Sequence, residues 1–267
     1  MGTTKVTNNL LESGRMLRGY LAGLGLGNNG TDAANDIDIA VGEARNADND
    51  GDLTLASALT KQIDASWAAG TNAGGLSSSL TLTDDTWYHV HLILVTGVAD
   101  IGFDTSIVAA NLVADHSATE YRRIGSVRRG TATNLAFSQV GDEFLWDDPP
   151  GDVDVTNLGT TSVTYTLTVP TGLQLIAVIN AFGSRILPLD IYIRSLDAND
   201  EAVAQGTAPF PNLSAVNTEP GGAISTDAGI FRVRTNTSGQ IAARSIDAST
   251  TLRIATLGWI DRRGRDD

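Results

Sequence analysis

From residue 36 onward the chain repeatedly alternates apolar with polar side chains, and this period of two constrains its fold more than any other feature. Ile37-Asp38-Ile39-Ala40-Val41 is the first such run. Successive side chains of an extended backbone point to opposite faces, so a sheet sorts this pattern into a buried and a solvated side. Leu53-Thr54-Leu55 continues it. Strand-like segments follow at 86–95, 98–103, 121–128, 135–140 and 143–146, then at 162–169, 173–181, 189–195, 229–235, 240–244 and 251–260, with turn chemistry between them. In Trp87-Tyr88-His89-Val90-His91-Leu92-Ile93 the same period puts both histidines on one face with Trp87 and Ile93, and Tyr88, Val90 and Leu92 on the other.

A chain of 267 residues with 42% hydrophobic residues and 28 glycines against 7 prolines has the composition of a packed, turn-rich protein large enough to need no metal or disulfide staple. The strands are too many for one small barrel, and no internal repeat points to a propeller or solenoid. A two-sheet sandwich of jelly-roll type is the economical solution. The expected fold is therefore all-β, a jelly-roll-like β-sandwich over residues 30–267, preceded by an extended N-terminal docking arm at 1–29.

The arm is expected because Gly19, Gly23, Gly25 and Gly27 undermine a helix and favour threading onto another protein. One short helix is expected within 56–69, where Leu59, Ile63 and Trp67 fall four apart, although a strand fits there too. All seven prolines lie after residue 148, and Asp147-Asp148-Pro149-Pro150-Gly151-Asp152 marks either a subdivision of the sandwich or a long loop. The Pro, Asn, Gly and Ser rich stretch between Asp197 and Asp227 is too long for a hairpin and is the natural place for binding.

Charge and composition exclude several functions. A net charge of −13 repels nucleic acid and anionic bilayers, so neither is an expected partner. The absence of cysteine removes disulfides, thiol nucleophiles and thiolate metal sites. The first residues carry no apolar signal core, and no apolar run approaches the ~20 residues of a membrane span.

Several motifs in one order carry a resemblance. Tyr20 to Leu24, Ala34 to Gly42, the run Ala58-Leu59-Thr60-Lys61-Gln62-Ile63-Asp64-Ala65-Ser66-Trp67 continuing to Gly74-Gly75-Leu76, then Trp87-Tyr88-His89-Val90 and Tyr121-Arg122-Arg123-Ile124-Gly125-Ser126-Val127 together resemble a family of phage and prophage tail-fibre proteins. The similarity covers about Tyr20 to Trp146, with Leu257-Gly258-Trp259-Ile260-Asp261 as a shared final strand. The acidic insertion Asn46 to Asp52 departs from the family pattern. The resemblance implies a virion appendage assembled as a trimer or other oligomer, made in the host cytoplasm and released by lysis. It brings no catalytic residues.

Each candidate site has a plainer role beside it. Asn46, Asp48 and Asp50 with Gly51 imitate the first half of a calcium loop, but the twelfth position is Ser57, which lacks the bidentate carboxylate. His89 and His91 share a strand face as a metal pair would, without an acid on that strand to complete a set. Asp142-Glu143 and Asp147-Asp148 flank Trp146 as the acids of a sugar-cleaving groove might, but adjacent acids before a double proline suit a solvated loop better. A serine triad would have to use His89, His91 or His116 and has no nucleophile signature. Trp67, Trp87, Trp146 and Trp259 each sit in an apolar segment and suit core packing more than glycan stacking.

No catalytic, cofactor or metal residue is assigned. The expected function is structural: a short tail fibre, spike or fibre adaptor. The expected partners are two further copies in a homotrimer, other virion proteins through the arm, and a host-surface polysaccharide. The alternatives are a capsid decoration or neck fibre and, further off, a polysaccharide-degrading tailspike.

Overall fold

The computed structural model describes residues 16–186, 188–204, 210–216 and 223–265. They form two compact units. Unit 1 takes the chain up to Asn134 and again from Arg262, and unit 2 spans Leu135–Asp261.

Unit 1 contains β1 (Leu21–Gly23), β2 (Leu26–Asn28), β3 (Asp36–Ile39), β4 (Gly42–Arg45), β5 (Asp52–Leu55), β6 (Leu59–Ser66), β7 (Ala73–Leu76), β8 (Thr86–Val95), β9 (Val98–Asp104), the helix α1 (Ala110–His116) and β10 (Glu120–Arg129). Strands β1, β4 and β5 make a three-stranded sheet, and the others make a seven-stranded sheet in the order β10-β8-β9-β7-β6-β3-β2. Its longest hairpin, β8–β9, turns at Thr96-Gly97, both at positive φ (50° and 80°), the geometry whose twist matches that of the flanking strands. Tyr88, Val90 and Leu92 on one face of β8 are fully buried, and so is Ile93 on the other, where Ala109 and Leu112 of the α1 region and Ala118 pack against it.

Unit 2 contains β11 (Phe137–Val140), β12 (Glu143–Trp146), β13 (Gly151–Val155), β14 (Val163–Thr166), β15 (Ile176–Arg185), β16 (Leu189–Arg194), β17 (Leu213–Ala215), β18 (Ser225–Arg234), β19 (Gln240–Ser245) and β20 (Thr251–Ile260). One sheet runs β11-β12-β20-β15-β18, with β13 also pairing β20, and the other runs β14-β19-β16-β17. Chain-sequential strands cross repeatedly from one sheet to the other, and β12-β20-β15-β18 against β14-β19-β16-β17 is the two-sheet pairing of a jelly roll. Its core is aromatic at one end, where Phe144 stacks on Trp259 with ring centres 5.1 Å apart and Trp146 tilts against Trp259 at 4.9 Å.

The all-β sandwich expected from the alternating pattern is what the chain forms, with corrections of detail. Residues 56–69 hold strand β6 and no helix, because a repeat of four is also a multiple of two and leaves Ile63 equally buried on a strand. Among the described residues the helix lies instead at Ala110–His116. The described part of 1–29 is not a free arm: β1 pairs β4, β2 pairs β3, and Leu21, Leu24 and Leu26 are buried. Residues 1–15 lie outside the described residues. The units divide between Asn134 and Leu135, while Pro149-Pro150 is only the connection from β12 to β13 within unit 2.

Candidate functional site

The motif residues of unit 1 gather on the α1 side of the seven-stranded sheet. Lys61, in the middle of β6, is fully buried. Its Nζ donates to the carbonyls of Ala68 (2.6 Å) and Gly70 (3.1 Å), pairs with Asp100 at 3.2 Å and sits 5.5 Å from the centre of the Trp67 ring. Asp100 in turn accepts from the amides of Gly70 (2.7 Å) and Ile101 (2.6 Å), and Trp67 Nε1 donates to the Ile101 carbonyl. Burial holds the Lys61 ammonium below its ordinary pKa and Asp100 opposes that shift. The pair ties the loop after β6 to β9. Every donor of Lys61 that is seen here points at a protein acceptor, so the group is a structural clamp and not a free nucleophile.

The two histidines sit on the same side. His89 Nδ1 is 2.9 Å from Ser126 Oγ, its cross-strand partner on β10, and Arg123 also donates to that hydroxyl at 3.3 Å. His91 Nε2 donates to the carbonyl of Ser106 at 2.9 Å, which leaves Nδ1 as a buried lone pair with no hydrogen-bond partner. Burial, offset in part by that carbonyl and reinforced by the nearby Arg123 charge, lowers the His91 pKa to about 3, so the imidazole is neutral across the physiological range. Asp104, opposite His89 in register, accepts from the amides of Ser106, Asn111 and Leu112 and from Asn111 Nδ2. That carboxylate anchors the first turn of α1, whose own residues supply no side-chain cap. Among the described residues no three His, Cys, Asp or Glu side chains come together as a metal ion requires.

The acidic insertion folds as the β4–β5 turn. Asn46 Oδ1 accepts from the Asp50 amide, Asn46 Nδ2 donates to Asp50 at 2.6 Å and Glu120 at 3.3 Å, and Arg45 bonds Asp52 at 2.5 Å. Asn49 takes the left-handed conformation that the turn needs (φ 60°). Asn46 and Asp50 bond each other, and Asp52 is paired with arginine; the arrangement is that of an Asx-type turn rather than of oxygens converging on a cation.

His116 Nε2 lies 3.4 Å from Ser78 Oγ, which brings a serine and a histidine together, but Asp115 bonds Ser77 and Ser79 instead of the imidazole, and those bonds hold its carboxyl below the usual range. The orienting member of a triad is therefore occupied elsewhere. Trp87, Trp146 and Trp259 are buried and Trp146 Nε1 donates to the Thr168 carbonyl, so those three rings are core and offer no exposed face to a sugar.

Open surface is found elsewhere. In unit 2 a groove of about 360 Å³ runs between β16 and the edge of β18, lined by Tyr192, Arg194, Asn212, Phe231 and Arg234, at the lower end of the size range for small-ligand sites. It adjoins the 197–227 stretch, of which residues 205–209 and 217–222 lie outside the described residues and 213–215 form β17. Arg234 is 56% exposed and pairs with Asp197 at 3.0 Å, and Arg194 and Arg244 share Asp200 at 3.6 and 3.1 Å. A second groove of about 570 Å³ in unit 1 passes over Gly25 and Gly27, beside Asp38, which accepts from Asn29 and Thr60. No helix among the described residues is long and apolar enough to cross a membrane. No family model matches the chain, and no curated protein matches it either.

Proposed function

We propose that the chain is a structural and adhesive subunit of a phage or prophage virion: a short tail fibre, spike or fibre adaptor that assembles as a homotrimer, joins other virion proteins and presents unit 2 to a host-surface polysaccharide. What carries this reading is how the chemistry-bearing residues are used. Lys61, Asp100, His89, His91 and Asp104 are each engaged by the protein's own groups inside unit 1, while the groove beside the long loop of unit 2 is open to solvent and lined by Tyr192, Asn212 and two arginines, Arg194 and Arg234, whose aspartate partners are themselves more than a third exposed. Such a surface suits recognition of a polar sugar by hydrogen bonds and charge.

The reading is tested by imaging particles labelled with an antibody to this chain, together with binding of the purified protein to host cells before and after their surface polysaccharide is stripped. Label at the tail and loss of binding on stripped cells are expected. Label spread over the capsid, or oligosaccharide released by the purified protein, overturns it in favour of a decoration protein or an enzyme.

A further inference from the structure

The five-stranded sheet of unit 2 carries apolar side chains on both faces, and among the described residues one face is packed as a core while the other is covered only around Val178. Phe144, Ala177, Ile179, Ile254 and Trp259 point inward and are buried. Their neighbours in register point outward. Leu145, Gly258, Val178 and Arg232 make one row across the sheet, and Glu143, Ile260, Ile176 and Arg234 make the next. A third row sets Ile230 beside Asn180 and Ala255. Ile230 is 68% exposed, Ile176 40% and Leu145 37%. The outward face of the other sheet is what solvent calls for: Thr164, Gln240, Arg244 and Arg194 line it in the same alternation. An outward sheet face built from Leu, Ile and Val marks a surface that is covered in use.

We infer that the outward face of the β11-β12-β20-β15-β18 sheet is where copies of this chain meet, with the β18 edge of one copy against the β12–β13 side of the next. This rests on the homo-oligomer reading above and adds to it the surface and its polarity. The charge layout selects the occupant. Arg232 and Arg234 stand on β18 at one side of the face, and Glu143 and Asp154 stand on β12 and β13 at the other. Inside one chain these groups sit in exposed pairs, Arg234 with Asp197 at 3.0 Å among them. Arg232 reaches Glu143 only at 3.8 Å, and the Arg253–Asp154 pair, at 2.9 Å, is more than half exposed on both sides. Exposed pairs of this kind are worth at most about 1 kcal/mol and re-pair readily.

Opposite signs on opposite sides of one face are satisfied in a head-to-tail ring and equally in a two-fold pair whose axis lies in the face, so the layout favours a second copy as the occupant and leaves the number of copies to the homotrimer reading. A chain of net charge −13 repels its own copies at a distance, so association needs such a local match in addition to apolar area. A lipid surface would meet the same net negative charge. Among the described residues the face carries no tryptophan or tyrosine, since Trp146 and Trp259 point inward, and its aromatic ring, Phe182, is only partly exposed.

Sedimentation velocity of the full chain tests this, with the 27.9 kDa chain mass as reference. Wild type is expected at three times that mass, and Ile230→Glu with Ile176→Glu at the single-chain mass with unchanged far-ultraviolet circular dichroism. Ile230→Thr keeps a β-branched side chain and guards against misfolding; it is expected to weaken association about tenfold, the cost of one buried apolar contact of about 1.4 kcal/mol. Arg234→Glu is expected to weaken association, and adding Glu143→Arg in the same chain to recover it. If wild type is a trimer and the Ile230 variants assemble as it does, the face is wrong and the oligomer reading stands. If wild type sediments as a single chain at every concentration, both fall. Recovery that fails in the charge-reversed double variant, with Ile230→Thr still weakened, overturns the edge pairing and leaves the face.

Discussion

Two sheets in this chain are apolar on both sides, the seven-stranded sheet of unit 1 and the five-stranded sheet of unit 2, and they are treated differently. In unit 1 the connection from β9 to β10 folds back over the second face: Leu112 of α1 packs on Ile93, and the site of a Cβ at Gly102 is already filled by Leu112 methyls at 2.5 Å. In unit 2 the second face ends in exposed Ile230, Ile176 and Leu145. A sheet that is hydrophobic on both sides has two ways to exclude water, its own chain or another molecule. The lesson is that the motif-rich unit uses its unusual residues to fasten a self-made cover, whereas in the unit with the weaker motifs the described residues leave much of the second face open.

The clamp under the unit 1 cover is where the largest effect is expected. Asp100→Ala removes the carboxylate from Lys61 and from the amides of Gly70 and Ile101, leaving a buried ammonium without its counter-charge. Breaking a buried pair from one side costs about 3–5 kcal/mol. Hydrogen exchange read on peptides spanning 59–76 and 98–116 is expected to lose protection by that amount, with unit 2 peptides unchanged. Lys61→Met added to Asp100→Ala should recover much of the loss, because the orphaned charge is gone; no recovery would mean that Asp100 acts mainly through the two amides.

Leu112→Ala attacks the cover itself and leaves the clamp intact. Leu112 is fully buried against Ile93, so truncation is expected to cost about 2–5 kcal/mol through the cavity it leaves. The loss should appear in peptides of α1 and the 87–93 segment. An effect under 1 kcal/mol would show that α1 lies on this face without holding it, and the contrast between the two sheets would weaken.

Acid should loosen unit 1 before unit 2. His91 has a folded-state pKa of about 3 against an unfolded value near 6.5, so between these limits the unfolded chain binds the extra proton. Its contribution is fully present above pH 6.5 and is lost progressively as pH falls towards 3, at roughly 1.4 kcal/mol per pH unit at the steepest. His91→Gln, which removes the titration, is expected to flatten that slope in an acid unfolding curve followed by circular dichroism. Equal slopes in variant and wild type would show that the acid sensitivity belongs to other groups.

Much of this was legible from period two. The partition of β8, with His89 and His91 beside Trp87 and Ile93, follows directly from alternation, and so does the sandwich. Three things were hidden for physical reasons. Strand β6 resembled a helix because Leu59, Ile63 and Trp67 recur at a spacing common to both periods. Helix α1 has no side-chain cap of its own and depends on Asp104, which lies outside it in sequence, so nothing local announces its start. The division at Asn134–Leu135 carries no proline or glycine at the junction, whereas the conspicuous Pro149-Pro150 joins two strands of one unit. The open face of unit 2 did leave a trace: Leu175 to Ile179 includes the unbroken apolar run Ile176-Ala177-Val178-Ile179, the mark of a strand covered on both sides, and that run says nothing of what the cover is.

The smallest expected effect sharpens the contrast most. Ile230→Ser, measured on dissociated chains at high dilution, should change the unfolding free energy by less than about 0.5 kcal/mol, because a side chain 68% exposed has little packing to lose. Leu112→Ala under the same conditions keeps its full cost, since its contacts lie within one chain. The two substitutions thus separate an internal cover from an external one by concentration dependence alone. A large loss for Ile230→Ser at high dilution would mean that this side chain is packed by its own chain, and the two sheets would then differ only in which segment shields them.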